Sequence, residues 1–100
     1  MSDCRLEPLS AGLFALHGQL DFDSVVTLLA NSERQFDWSA SVVIDLQAVS
    51  NSNSAGLALL LEWMCLAAEQ QQKVRFRNLP LQLTQIAQIN GLQELLPLES

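Results

Sequence analysis

The sequence predicts an α/β fold with a mixed, mostly parallel sheet of four to five strands and three to four helices. Short apolar runs typical of strands alternate along the chain with longer runs that have the apolar spacing of helices. Their order is β-β-α-β-α-β-α. Because strands joined through helices usually become parallel neighbours, this order favours helices packed on one sheet. The 100 residues suit one domain, which we expect to span residues 1–100.

The first half of the chain predicts a strand hairpin followed by a helix. These elements are expected over residues 4–9, 13–17 and 24–35. Gly12 ends the turn of the hairpin, and we expect Gly18 to end the second strand. Either Asp21 or Asp23 is expected to cap the helix.

The second half predicts two further strands and two further helices. The expected ranges are 41–46 and 73–77 for the strands, and 54–72 and 80–90 for the helices. The nearly continuous β-branched run of the first of these strands predicts a central strand covered on both faces. Residues 47–53 are expected to form a polar loop. The apolar residues 92–98 predict a last short strand or a helical turn.

Composition and charge exclude several classes of function. The net charge of −6 disfavours binding to nucleic acid and to anionic lipid headgroups. The two cysteines, Cys4 and Cys65, make neither a disulfide framework nor a metal pattern. Neither a glycine-rich phosphate loop nor a nucleophile elbow is present. The sequence therefore gives no support for catalysis, a cofactor or a metal.

The cysteines and the chain start predict a cytoplasmic protein. Residues 1–5 lack the pattern of a signal peptide, and Cys65 lies in an apolar helical run where we expect a buried or partly buried thiol. The apolar run over residues 57–68 is too short to span a bilayer and is interrupted by Glu62. We therefore expect no direct insertion into a membrane.

The start of the longest helix is the most informative segment. Asn53 and Ser54 follow a buried strand and a polar loop, and either side chain can cap the free N–H groups of the helix. The same helix end favours an anion, including a phosphate on Ser54. Ala55 follows, and Gly56 removes a side chain where another surface can approach. An ordinary helix cap in a polar loop is the alternative interpretation.

These residues carry a resemblance to a known family. The positions that match are Ile44, Asp45 and Leu46, then Val49 and Ser50, then Asn53 to Leu57, with Gly18 to Asp21 before the first helix. This pattern resembles STAS domains, which include anti-sigma factor antagonists. The run that begins at Ser54 is most similar to the MlaB-like members, the STAS subunits of the Mla phospholipid-transport ABC complex. The resemblance implies the STAS fold and a non-catalytic cytoplasmic subunit that binds an ABC transporter ATPase. That subunit would lie peripheral to the inner membrane through its complex, which maintains outer-membrane lipid asymmetry.

The resemblance has one departure, and it leaves a second function open. The family motif has Asp before the hydroxyl residue, where this chain has Asn53. In phosphorylated STAS domains that acidic residue precedes the serine that a kinase modifies. The alternative is therefore an anti-sigma factor antagonist switched by phosphorylation of Ser54, and Asn53 weighs against it. A lipid-binding or small-molecule module, which needs an apolar pocket, also stays open, and no homo-oligomer is predicted.

Apolar residues on two sides of the long helix predict a surface that binds a partner. At about 100° per residue, Leu57 and Leu60 fall on the expected core side. Leu59, Trp63 and Leu66 fall nearly opposite, where we expect them to face a partner protein. A rotated helix, or a tail that covers this side, is the alternative. A weaker apolar surplus occurs on the first helix, at Val25, Val26, Leu28 and Leu29. The predicted docking surface centres on Ser54.

The remaining polar candidates have simpler interpretations. His17 is expected to be an ordinary strand histidine. Asp45 is either buried and hydrogen-bonded or exposed at the strand end. Lys73, Arg75 and Arg77 share one strand face, which is either solvated or in contact with an acidic partner.

Overall fold

A five-stranded sheet and three α-helices make up residues 4–99, the part of the chain that this computed structural model describes. The strands are β1 Arg5–Ser10, β2 Leu13–Leu20, β3 Val42–Asp45, β4 Val49–Ser52 and β5 Val74–Arg77. The helices are α1 Phe22–Gln35, α2 Ser54–Glu69 and α3 Leu81–Ile89, followed by a short 3-10 helix at Gln93–Leu95. The predicted α/β class is confirmed, with strand and helix numbers in the expected range.

The sheet is mixed, and all but one of its pairings are parallel. Its order is β1-β2-β3-β5, and β4 pairs with the second half of β2. Only β1 and β2 are antiparallel. The register of β2 shifts between Gly18 and Gln19, where the strand pairs with β4. Gly18 has a φ of +102°, a conformation that glycine adopts at little cost. The prediction that Gly18 ends the strand is therefore wrong: the strand continues to Leu20 through an irregularity.

One face of the sheet carries the core, and the other is partly open. Phe14, Ile44 and Phe76 are register partners that point under the helices, and all three are buried. Arg75 on the opposite face is exposed, and Val43 beside it is only half-buried. The prediction that β3 is covered on both faces is therefore wrong. Because β-branched runs are also frequent in strands with one open face, the residue pattern alone did not separate the two cases.

The C-terminal tail lies along the free edge of β5. Phe76 donates its N–H to the carbonyl of Pro97 at 2.9 Å and accepts from the N–H of Glu99 at 2.8 Å. Leu96 is buried against the core. The expected tail of residues 92–98 therefore contains both a helical turn and a strand-like bridge. In residues 4–99 no helix is both long and apolar enough to cross a membrane.

Candidate functional site

Three helices begin at one end of the molecule because their first residues are tied together. The N–H of Asn53 donates to the carbonyl of Leu20 at 3.1 Å, which holds the start of α2 beside the start of α1. The N–H of Ser52 donates to the Oε1 atom of Gln82 at 2.9 Å, which holds the start of α3 in the same place. The parallel strands end at this edge, where α/β proteins usually place their binding sites.

The start of α2 is a capped helix end with an exposed hydroxyl. The Oδ1 atom of Asn53 accepts from the N–H of Ala55 at 2.8 Å, so Asn53, one of the two expected caps, is the cap. Ser54 is exposed, and the first turn of α2 holds no acidic residue. The positive end of the helix dipole is therefore not neutralised by its own first turn.

The start of α1 is closed by a reciprocal pair of hydrogen bonds. The N–H of Ser24 donates to the carboxylate of Asp21 at 2.9 Å, and the N–H of Asp21 donates to the Ser24 hydroxyl at 2.9 Å. Asp21, rather than Asp23, is therefore the cap. The hydrogen bond from the Ser24 amide lowers the pKa of the Asp21 carboxyl from its ordinary value of 3.8.

Three large apolar side chains are exposed on the helices that flank Ser54. Phe22 is 69% exposed, Val26 is 71% exposed and Leu81 is 70% exposed. Phe22 and Val26 lie four residues apart on α1 and so share one face. With Asn53 and Ser54 on α2, which packs between α1 and α3, they form what we call the helix-start surface. Sequence reasoning included Val26 in the surplus of α1 but missed Phe22 and Leu81. Their position directly after a helix cap was the available signal, since the first buried residue of each helix, Ser24 or Leu83, comes two positions later.

The prediction that Leu59, Trp63 and Leu66 of α2 face a partner is wrong for two of these three residues. Leu59 and Trp63 are fully buried, and Leu66 is half-buried. Because α2 packs on the sheet and between α1 and α3, its buried arc is wider than that of a helix at the edge of a layer. The side that faces solvent instead holds Ala58, Glu62, Cys65 and Glu69. The expectation of a buried or partly buried Cys65 is therefore also wrong.

Trp63 ties α2 to α1 inside the core. Its Nε1–H donates to the Ser32 hydroxyl at 2.8 Å, and both residues are fully buried. The indole also packs edge-on against the ring of Phe36, with ring centroids 5.8 Å apart. A buried indole needs such an acceptor, so Trp63 is a structural residue and not a contact for a partner.

Ala55, Gly56 and Leu29 are not free contact residues either. Ala55 and Gly56 are buried, and Leu29 is half-buried against the core. A Cβ on Gly56 would overlap the Ser52 hydroxyl oxygen and would lie 3.2 Å from the Cδ2 atom of Leu83. The surface that approaches Gly56 is therefore the chain's own β4 and α3. Of the eight predicted site residues, the structure exposes only Asn53 and Ser54.

The other polar candidates form small networks on the open sheet face. The Nε2 atom of His17 lies 2.9 Å from a carboxylate oxygen of Glu7. Arg77 pairs with Asp45 and with Glu99, each at 3.5 Å. Among the described residues no group of three or more histidine, cysteine, aspartate or glutamate side chains is arranged to hold a metal ion.

Comparisons with known proteins agree with this geometry. A family model described as "Mlab, STAS domain" matches residues 7–97. The chain is similar to the solved structure of the anti-sigma factor antagonist SpoIIAA in its unphosphorylated form, with 18% identity and a TM-score of 0.72 over 97% of this chain and 88% of that chain. It is also similar to an anti-sigma factor antagonist (STAS) domain protein from Planctomyces limnophilus, with 20% identity and a TM-score of 0.68 over 100% of this chain and 91% of that chain. At these identities the two structures show the fold alone, and the fold expected from the sequence resemblance is confirmed. No curated protein matches the chain.

Proposed function

The chain belongs to the STAS domain family, and we propose that it is a non-catalytic accessory subunit of a phospholipid-transport ABC complex that binds the ATPase subunit. The observation that carries this proposal is the match of the MlaB-type family model over residues 7–97. In this role the chain stabilises or regulates the ATPase, and the complex maintains outer-membrane lipid asymmetry. The subunit is cytoplasmic and lies at the inner membrane through its partner.

The helix-start surface is the proposed contact with the ATPase. Its three apolar side chains are each about 70% exposed, and burying one of them gives roughly 1.5–3 kcal/mol. Such a group of exposed apolar residues around a polar centre is typical of a protein interface. Asn53 and Ser54 supply the polar centre. The predicted docking surface around Ser54 is kept, but its apolar part lies on α1 and α3 and not on α2.

Substitution at the centre of this surface tests the proposal. We expect Ser54→Arg to abolish co-purification of an ABC transporter ATPase with the tagged chain, because the long cation prevents close approach at the middle of the interface. Phe22→Asp should weaken the association by at least about tenfold, since it loses apolar burial and places a charge in the interface. Both side chains are exposed, so the urea midpoint of the free chain should change little.

Ile89→Asp is the matched control for Phe22→Asp. Ile89 is 84% exposed and lies at the opposite end of α3 from Leu81. The Ile89→Asp variant should leave the association with the ATPase unchanged. An ATPase that assembles and hydrolyses ATP equally well without the chain would refute the role. Equal weakening by the Phe22 and Ile89 variants would refute the docking surface alone.

A phosphorylation switch at Ser54 is the second candidate function. The exposed hydroxyl at an uncompensated helix end favours it, because a phosphate there gains from the helix dipole. The absence of an acidic residue at position 53 weighs against it. Incubation with candidate kinases, followed by mass spectrometry of the intact chain, distinguishes the two functions. Modification of Ser54 that releases a bound partner supports the switch, and an unmodified chain argues against it.

A further inference from the structure

A groove of about 500 Å³ lies near the end of α2 that is remote from the helix-start surface. It runs between α2, β5 and the C-terminal tail, and we call it the edge groove. Its apolar wall consists of Met64, Ala67, Ala68, Pro97 and Leu98. Ser54 and Ala68 are separated by about 21 Å along the helix, at the usual rise of an α-helix. The volume is in the range of small-molecule sites, and the wall has no aromatic ring that could stack on a planar base.

Two uncompensated cations stand at the rim of the edge groove. Lys73 and Arg75 both line it, and both are exposed. Within the described part of the chain, neither forms an ion pair, whereas the neighbouring Arg77 pairs with Asp45 and Glu99. The chain has only five lysines and arginines in total and a net charge of −6. The rim is therefore a locally cationic site on an acidic molecule.

The free edge of β5 adds a backbone donor to the same rim. Phe76 uses its N–H and carbonyl on this edge to bond the tail. Because backbone groups two residues apart in a strand point to the same edge, the N–H of Val74 also points toward the groove. The tail bridges β5 only at Phe76. The remaining edge is too short for a further peptide strand, but it leaves one N–H for an anion.

We propose that the edge groove binds a monomeric single-chain lipid anion, such as a fatty acid. The acyl chain lies against the aliphatic wall, and the carboxylate accepts hydrogen bonds from Lys73, Arg75 and the N–H of Val74. Charge complementarity selects the head group, and the aliphatic wall selects the chain. This site does not depend on the proposed docking to an ATPase, because it involves neither the same residues nor the same end of α2.

Titration of the 15N-labelled chain with monomeric decanoate tests the proposal. We expect saturable shifts of the amides of Ala68, Val74 and Leu98, with the amide of Ser54 unmoved. The double variant Lys73→Gln/Arg75→Gln should bind decanoate at least about tenfold more weakly, since it loses charge-assisted hydrogen bonds. Ala68→Trp should abolish binding because the indole fills the groove. Decanol, which lacks the charge, should bind the natural chain at least about tenfold more weakly than decanoate.

Two matched variants serve as controls. Arg34→Gln removes a cation on α1, and Ala30→Trp adds an indole on the exposed part of α1. Both should bind decanoate within about twofold of the natural chain, a difference near the usual effect of a distant surface substitution. Equal binding of decanol and decanoate overturns the proposal, as does equal weakening by the α1 controls. The proposal is also overturned if the chain does not bind decanoate and binds only vesicles of anionic phospholipid.

Discussion

The two thiols of the chain lie in different environments. Cys4 is half-buried beside Ser24, and burial, the largest cause, raises the pKa of its thiol to about 11. A hydrogen bond with the Ser24 side chain lowers this pKa in part, and the nearby Asp21 carboxylate raises it. Cys65 is exposed on the solvent side of α2. Only the thiolate reacts with disulfides and alkylating reagents, so the two thiols should differ in rate.

We expect one thiol to react quickly with Ellman's reagent at pH 8 and the other to react slowly. With a pKa of about 11, the thiolate fraction of Cys4 at pH 8 is about one part in a thousand. Because the pKa is raised, its reaction rate should grow about tenfold per pH unit up to pH 10. Cys65→Ser should remove the fast phase, and Cys4→Ser should retain it. Two fast thiols in the folded natural chain would contradict the assignment.

Residues that act locally were largely predictable from the sequence. Asp21 was one of two predicted caps of α1, and Asn53 was one of two predicted caps of α2; each side chain accepts from an N–H within its own first turn. The predicted end of α3 at residue 90 is also confirmed, because Asn90 is its C-cap and is followed by Gly91 at a φ of +69°. Such contacts depend on residues a few positions apart, so a short window of sequence contains both partners.

Elements whose secondary structure or orientation depends on partners far away in the sequence were not predictable in the same way. β4 was expected to be a loop because serine and asparagine are poor strand formers. It is a strand because β2 continues past Gly18 and offers it a partner. The orientation of α2 was wrong for a related reason. A helix rich in apolar residues on several sides defines no single core face, and the position of α2 between α1 and α3 decides which sides are buried.

Gly56 shows how closely α2 packs against its neighbours. An added Cβ would overlap the Ser52 hydroxyl oxygen and come within 3.1 Å of the Cδ1 atom of Leu20. Alanine in a helix gains about 1 kcal/mol over glycine in intrinsic propensity. Overpacking in a core costs typically 1–3 kcal/mol. The Ser52 hydroxyl donates to the carbonyl of Asn53 at 3.0 Å, and moving it away from the added Cβ would break this hydrogen bond, so the packing cost should exceed the gain.

We therefore expect Gly56→Ala to lower the free energy of unfolding by about 1 kcal/mol. Urea denaturation at neutral pH measures the change. The same substitution in a Ser52→Ala background should be less destabilising, because the overlapping oxygen is absent. If Gly56→Ala stabilises the chain as it would an isolated helix, the close packing at this position is not what selects glycine.

Charge is distributed unevenly between the two layers of the molecule. Within the described elements, the helices hold five carboxylates and a single cation, Arg34; the carboxylates are Asp23, Glu33, Glu62, Glu69 and Glu94. The strands hold three cations and two carboxylates, namely Arg5, Arg75 and Arg77 with Glu7 and Asp45. The helical layer is therefore acidic, and the open sheet face is nearly balanced. At the helix-start surface the α1 side carries the carboxylates of Asp21 and Asp23, which favour a basic residue of the partner there.

The charge beside the helix-start surface predicts how fast the chain associates with the proposed ATPase. Asp23 is exposed and directly follows Phe22, and its carboxylate takes no part in the capping box of Asp21 and Ser24. We expect Asp23→Lys to lower the association rate constant by about threefold at low salt, with a smaller effect on dissociation, because a charge at the rim acts mainly on the encounter. The difference should shrink as salt approaches 0.5 M, since screening then shortens the range of the field.

Glu69→Lys makes the same charge change at the far end of α2 and should have a weaker effect. Equal slowing by both variants would mean that the net charge of the chain, and not its position beside the helix-start surface, sets the rate. An association rate that Asp23→Lys leaves unchanged at low salt would place the contact with the ATPase on another face of the molecule.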